Sequence, residues 1–193
     1  MHPLIMTLML LQSSHFPTNK PNVRCTLTAP RNCLIGNVPY LDVNLDNLTN
    51  DRIYLVVRHE YLPYPRCQLE ITTPLGTRAN YPNRWACVSI DLSEWHFVHV
   101  EPQGKLNPYF NPRFKGEQTG HVRDHQLVPW NFLIPGEYRF RFVYSTASHD
   151  LKDWHGSYPD ADPVMLNKFK RMPKVKVISN EIRIFFFAPI FLF

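Results

Sequence analysis

The chain has 193 residues, 44% hydrophobic and 19% charged, the proportions of a globular protein, which exclude a disordered, collagen-like or coiled-coil chain. Its length fits one domain with a sizeable core. Eighteen prolines against seven glycines favour short strands and stiff connections over long helices, and a net charge of +5, spread along the chain, does not predict a nucleic-acid reader, which gathers its cations on one face.

In chain order, Leu4, Ile5, Met6, Leu8, Met9, Leu10 and Leu11 make an apolar run before Gln12, Ser13 and Ser14, so residues 1–14 read as a signal or anchor-like segment and 15–37 as an N-terminal extension. No Lys or Arg precedes the run. Leu41, Val43 and Leu45 alternate with Asp42, Asn44 and Asp46, the period of a half-buried strand. A turn over residues 47–51 and the resumed alternation of Ile53, Leu55 and Val57 predict a hairpin. Cys67, Leu69 and Ile71 start another strand, closed by the turn of Pro74, Leu75, Gly76 and Thr77. Further strands are predicted from Val88, Ile90 and Leu92, and from Trp95 to Val100.

Residues 101–120 read as a long ordered loop, and 127–133 as a proline-interrupted strand. After the turn signal Pro135-Gly136, Tyr138, Phe140, Phe142 and Tyr144 alternate with Arg139, Arg141 and Val143, and this aromatic face must enter the core. A second long connection, 145–173, precedes a last strand of Val175, Val177, Ile182 and Ile184, whose register Ser179 and Asn180 break like a bulge. Lys168, Lys170, Arg171, Lys174 and Lys176 read as a solvated loop leading into that strand. The apolar stretch 185–193 is too short to span a bilayer as a helix and must be buried, bound or aggregation-prone.

Cys25, Cys33, Cys67 and Cys87 form no C-x-x-C pair, so disulfides are expected, with Cys25–Cys33 and Cys67–Cys87 preferred among three connectivities and reduced, buried thiols as the alternative. His96 and His99 would point to opposite faces of a strand, and His121 and His125 share a face only on a helix; neither pair is expected to hold a metal. Asp150, Asp153, Asp160 and Asp162 lack the pattern of a calcium loop. There is no nucleophile elbow and no phosphate-cradling glycine loop, so neither an enzyme nor a cofactor is expected. Asn47-Leu48-Thr49 is a glycosylation sequon, but those residue types equally build a turn.

The stretch from Leu41 to Thr49 followed by Ile53 resembles the opening hairpin of many immunoglobulin-like domains, and Pro135-Gly136-Glu137-Tyr138 is similar to the entry of a late strand in that group. With Trp154-His155-Gly156 and the closing run Ser179 to Ile184, the chain is similar to uncharacterised Ig-like domains of bacterial secreted or surface proteins. The resemblance implies an all-β fold, an immunoglobulin-like antiparallel sandwich of about 7–9 strands over residues 38–187 with two long loops, and an apolar tail at 188–193. It says little about function, since one fold hosts many activities.

The expected function is therefore non-enzymatic recognition of a protein or glycan outside the cytoplasm, through the loops 101–120 and 145–173. Their aromatic and basic residues are of the types that dominate binding hot spots: Tyr109, Phe110, Arg113, Phe114, Trp154, His155 and Tyr158, with Trp95 and Trp130 nearby. Membrane association would come through the terminal apolar segments. Three rival readings are an Ig-like protease inhibitor presenting residues 102–112, an assembly subunit docking by the strand 185–193, and a metal-dependent hydrolase.

Overall fold

The computed structural model describes residues 22–58, 64–79, 92–109, 122, 127–154 (except the Trp130 side chain) and 162–189. Among these the chain is mostly β, with one α-helix and several open sheets, antiparallel except where β2 pairs with β10. Strands β1 (Val23–Thr28), β3 (Asp42–Asn47) and β7 (Lys105–Leu106) form one sheet in the order β1-β3-β7. Strands β4 (Ile53–Val56) and β6 (Phe97–Val100) pair separately. The largest sheet runs β2-β10-β8-β5, from β2 (Asn32–Leu34), β10 (Ile182–Phe187), β8 (Gly136–Ser145) and β5 (Arg66–Thr72), with β9 (Lys176–Ile178) also paired to β8.

The alternation read in β8 determines its orientation: Tyr138, Phe140, Phe142 and Tyr144 all point inward and are buried. Leu27, Val43, Leu45, Leu55, Leu69, Ile71 and Val100 from the other strands close over them in one core. Phe132 stacks on Phe186 at 4.9 Å and meets Tyr138 edge-on at 5.4 Å, both favoured aromatic geometries. Such rings contribute through buried area first, about 25 cal/mol per Å2 of apolar surface. Two polar ties join the sheets, the first of them buried in the core. The Tyr144 hydroxyl donates to the Val56 carbonyl at 3.0 Å and accepts from its N–H at 3.1 Å. The Asn180 amide does the same for Leu27, accepting at 2.9 Å and donating at 3.0 Å, as a neighbouring strand would.

The bulge read at Ser179 and Asn180 is present. Val143 faces Ile178 and Phe140 faces Ile182, so three residues, 179–181, oppose two, Arg141 and Phe142. Ser179 Oγ replaces the missing ladder acceptor by taking the Phe142 N–H at 2.9 Å.

Several expectations need correction. The predicted hairpin does not form: β3 pairs with β1 and β7, whereas β4 pairs with β6. The 47–51 turn instead carries the chain between sheets, and Asn47 fixes it, donating to the carbonyls of Asp51 (2.8 Å), Val100 (3.1 Å) and Glu101 (3.1 Å) and accepting from Thr49. Of the stretch read as an N-terminal extension, the described residues 22–37 are no appendage, since β1 and β2 lie there and Val23, Cys25 and Leu27 are core residues. Glu94–His96 is a 3-10 turn leading into β6, and Pro129–Phe132 is another 3-10 turn where a strand was predicted, because proline at its first position lacks the N–H a ladder needs. The strand predicted at 88–92 lies outside the described residues except for Leu92, which is in no strand.

The connection 145–173 contains a 3-10 turn, Leu151–Trp154, and helix α1 (Pro163–Arg171). Lys168, Lys170 and Arg171 thus stand on a helix rather than in a loop, and Lys176 belongs to β9. Asp162 caps α1 by accepting the Val164 N–H, and Pro163 starts it where its missing donor is harmless. Met165, Phe169 and Met172, at helical spacing, pack with Trp154, Tyr54, Val56, Leu92 and Phe97 into a second core on the outer side of β4 and β6. This cover explains why Tyr54, Leu55 and Val56 are buried in succession where alternation predicts a solvent face.

Candidate functional site

The residue types singled out in the long loops do not gather into one cleft among the described residues. Trp154 is 0% exposed: its ring packs against Phe169 (5.4 Å, edge-on) and Tyr64 (4.9 Å), and its indole N–H donates to the Ser148 carbonyl at 3.3 Å. The surface exposure that recognition requires of Trp154 is therefore absent; its size, read as a binding anchor, serves the second core. Tyr109 is half-buried, with its ring 5.9 Å from Phe142 and its hydroxyl accepting from Arg58 at 2.9 Å. Trp95 stacks on buried His96 at 3.6 Å. Phe110, Arg113, Phe114, His155 and Tyr158 lie outside the described residues, as do Cys87, His121, His125, Asp160 and the residues 1–21.

Cys25 and Cys33 are free thiols, so the expected Cys25–Cys33 bridge is not formed, and no disulfide joins the described residues. Cys25 points into the core from β1 whereas Cys33 sits on edge strand β2, in different sheets. Burial, and secondarily the Asp46 carboxylate, push the Cys25 thiol up to about 12, so it stays protonated and unreactive.

The most developed surface lies on the outer face of the large sheet. Because β8 turns its aromatics inward, Glu137, Arg139 and Arg141 must face out, and Glu70 and Thr72 of β5 and Arg183 of β10 stand beside them. One row crosses the sheet as an alternating ladder: Arg78 to Glu70 at 2.6 Å, Glu70 opposite Arg141, and Arg141 to Glu181 at 2.9 Å. In the next row Arg139 lies directly opposite Arg183, a like-charge cross-strand pair that is unfavourable by itself. Glu137 moderates it, reaching Arg139 at 3.3 Å and Arg183 at 3.6 Å. Glu70, Thr72, Arg78, Arg139, Arg141 and Glu181 line a shallow cavity of about 170 Å3.

Four guanidiniums thus share three carboxylates, a net +1 over these two rows. The rows grade into an apolar margin: Phe185 is 51% exposed, Phe187 41% and Leu34, opposite Phe187 on β2, 39%. The stretch 185–193 therefore divides, Phe186 entering the core while its neighbours face solvent, and 190–193 fall outside the described residues.

The plain alternation around β8 could have revealed this surface: Arg139, Arg141 and Arg183 occupy the positions between core residues. Sequence reasoning used only the aromatic half of that pattern. No family model, no curated protein and no solved structure matches the chain.

Proposed function

We propose that the chain is a non-enzymatic interaction module of immunoglobulin-like sandwich architecture, acting outside the cytoplasm, and that the outer β5/β8/β10 face docks an acidic, partly apolar protein surface. The single observation that carries this reading is the Arg139/Arg183 pair, two cations directly opposite each other across β8 and β10, beside a groove that Arg139 lines with two more arginines and two carboxylates, an arrangement that an incoming carboxylate relieves. Exposed phenylalanines bordering arginines are the composition of a protein interface. Burial of Trp154 removes a stacking platform for a sugar, which favours a protein over a glycan partner. The sandwich reading is supported by the larger core, fed by the inner faces of all three sheets, and by the Asn180 tie from the large sheet to β1. The extracytoplasmic reading rests on the apolar run in 1–14 alone, since the free thiols of Cys25 and Cys33 lend it no support.

Two rival readings are less favoured. The loop an inhibitor would present begins as a tight turn, with Gln103 N–H bonded to the Asn47 carbonyl and Lys105–Leu106 paired to β3, rather than an extended exposed segment. A tail donated to a neighbour's sheet would need Phe185 to Phe187, which already pair with β8 and β2.

Titration of a fluorescent deca-glutamate peptide followed by anisotropy tests the proposal. Saturable, salt-sensitive binding is expected, weakened by about tenfold or more (roughly 1.4 kcal/mol) in Arg139→Glu/Arg183→Glu, whose circular dichroism should be unchanged. Absent binding, or equal binding by the variant, contradicts it.

A further inference from the structure

A second set of cations converges on the other side of the molecule, around one tyrosine. Tyr54 on β4 lies directly opposite His99 on β6, and their rings are 4.0 Å apart. From α1, Lys168 Nζ and the Arg171 guanidinium approach the same Tyr54 ring at 5.9 Å and 5.6 Å. The negative face of the ring holds these cations without consuming their hydrogen-bond donors. Arg52, just before β4, completes the group.

Two of these cations are already paired, Lys168 with Glu94 at 2.6 Å and Arg52 with Glu101 at 2.5 Å. No carboxylate among the described residues forms an ion pair with Arg171 or His99. The site therefore offers one uncompensated charge when His99 is neutral and two when it is protonated. Desolvation, then Arg52 and Lys168, hold the His99 imidazolium below the ordinary histidine range, with Glu101 opposing and Arg171 adding to the effect.

The geometry points to a proton-linked binding site for a doubly charged tetrahedral oxyanion, the phosphate monoester group of a larger molecule, held by Arg171 and His99 with Lys168 and Arg52 at its rim. Arginine supplies a planar fork of donors suited to such oxygens, and the imidazolium supplies the second charge. The link to pH follows from the charges: an anion beside His99 favours its protonated form, so binding tightens as pH falls through the histidine range and takes up a proton there. This site shares no residue with the arginine rows of the large sheet, so either proposal can fail without the other.

The test follows the His99 ring resonance by NMR across a pH titration, with His99→Gln assigning the signal. In sodium sulfate the midpoint should lie about half a pH unit or more above that in sodium chloride of equal ionic strength. The difference should collapse in Lys168→Gln/Arg171→Gln. Equal midpoints in the two salts, or a sulfate response retained by the double variant, overturn the proposal. Co-sedimentation with phosphatidylcholine vesicles carrying phosphatidic acid, and not with phosphatidylcholine alone, would assign the ester to a lipid headgroup. A sulfate response without co-sedimentation assigns it to a soluble ester.

Discussion

Asn47 and Lys174 illustrate at the residue scale how much of a side chain's role depends on what surrounds it. Asn47 is fully buried, and its amide is engaged by three carbonyls, so the sequon reads here as the lock of a crossing turn. Asn47→Ala strands those acceptors and the Thr49 N–H, and should cost about 2–4 kcal/mol in chemical denaturation. Lys174 was legible only as one more cation in a basic run. Its Nζ is buried without a hydrogen-bond partner among the described residues, 3.4 Å from the Phe169 ring centre and 5.4 Å from that of Trp154. Burial lowers its ammonium to about 8, against the preference of the ring faces for the charged form. Between about 8 and 10.5 the unfolded chain holds the proton and the native slot does not, so stability from this group is present at the high end and is lost as pH falls. Stability measured from pH 8 to 10.5 should rise more steeply in the wild type than in Lys174→Met.

At the scale of elements, the strands with a plain period of two were legible, and β8 with its bulged partner β9–β10 came through in detail because the inward positions of β8 are all aromatic and arginine or glutamate separates them over residues 137–141. Helix α1 was not, although Asp162-Pro163 is a start signal and Met165, Phe169 and Met172 carry helical spacing. Its nine residues lie in a polar stretch, and only docking onto β4 and β6 gives that short apolar face a partner. Phe169→Ala should therefore cost about 3–5 kcal/mol and shift Trp154 fluorescence to the red as the second core opens. Gly136 marks the entry to β8 with φ of 133°, and an added Cβ would lie 2.8 Å from that of Pro74. Gly136→Ala should lower stability by about 1–3 kcal/mol, read as a drop in the denaturation midpoint.

For the whole molecule, the sequence conveyed an all-β chain with an aromatic core but not which strands pair, because alternation gives each strand a face and no neighbour. The apparent hairpin of β3 and β4 failed for this reason: a turn between two alternating runs is equally a crossing between sheets. Cysteine spacing misled similarly, since nearness in sequence placed Cys25 and Cys33 together and the sheets hold them apart. Alkylation of the native protein followed by peptide mapping should label Cys33 well before Cys25, and a Cys25–Cys33 cross-linked peptide would refute that arrangement. The candidate site was half legible, the outward arginines standing in the sequence while their convergence required the register of three strands.

The most direct measurement is amide hydrogen exchange with and without saturating deca-glutamate peptide. Docking on the outer sheet face predicts slowed exchange in β5, β8 and β10, and little change in residues 101–109 and 146–154. Slowing confined to those loop residues, with the sheet amides unchanged, would contradict it.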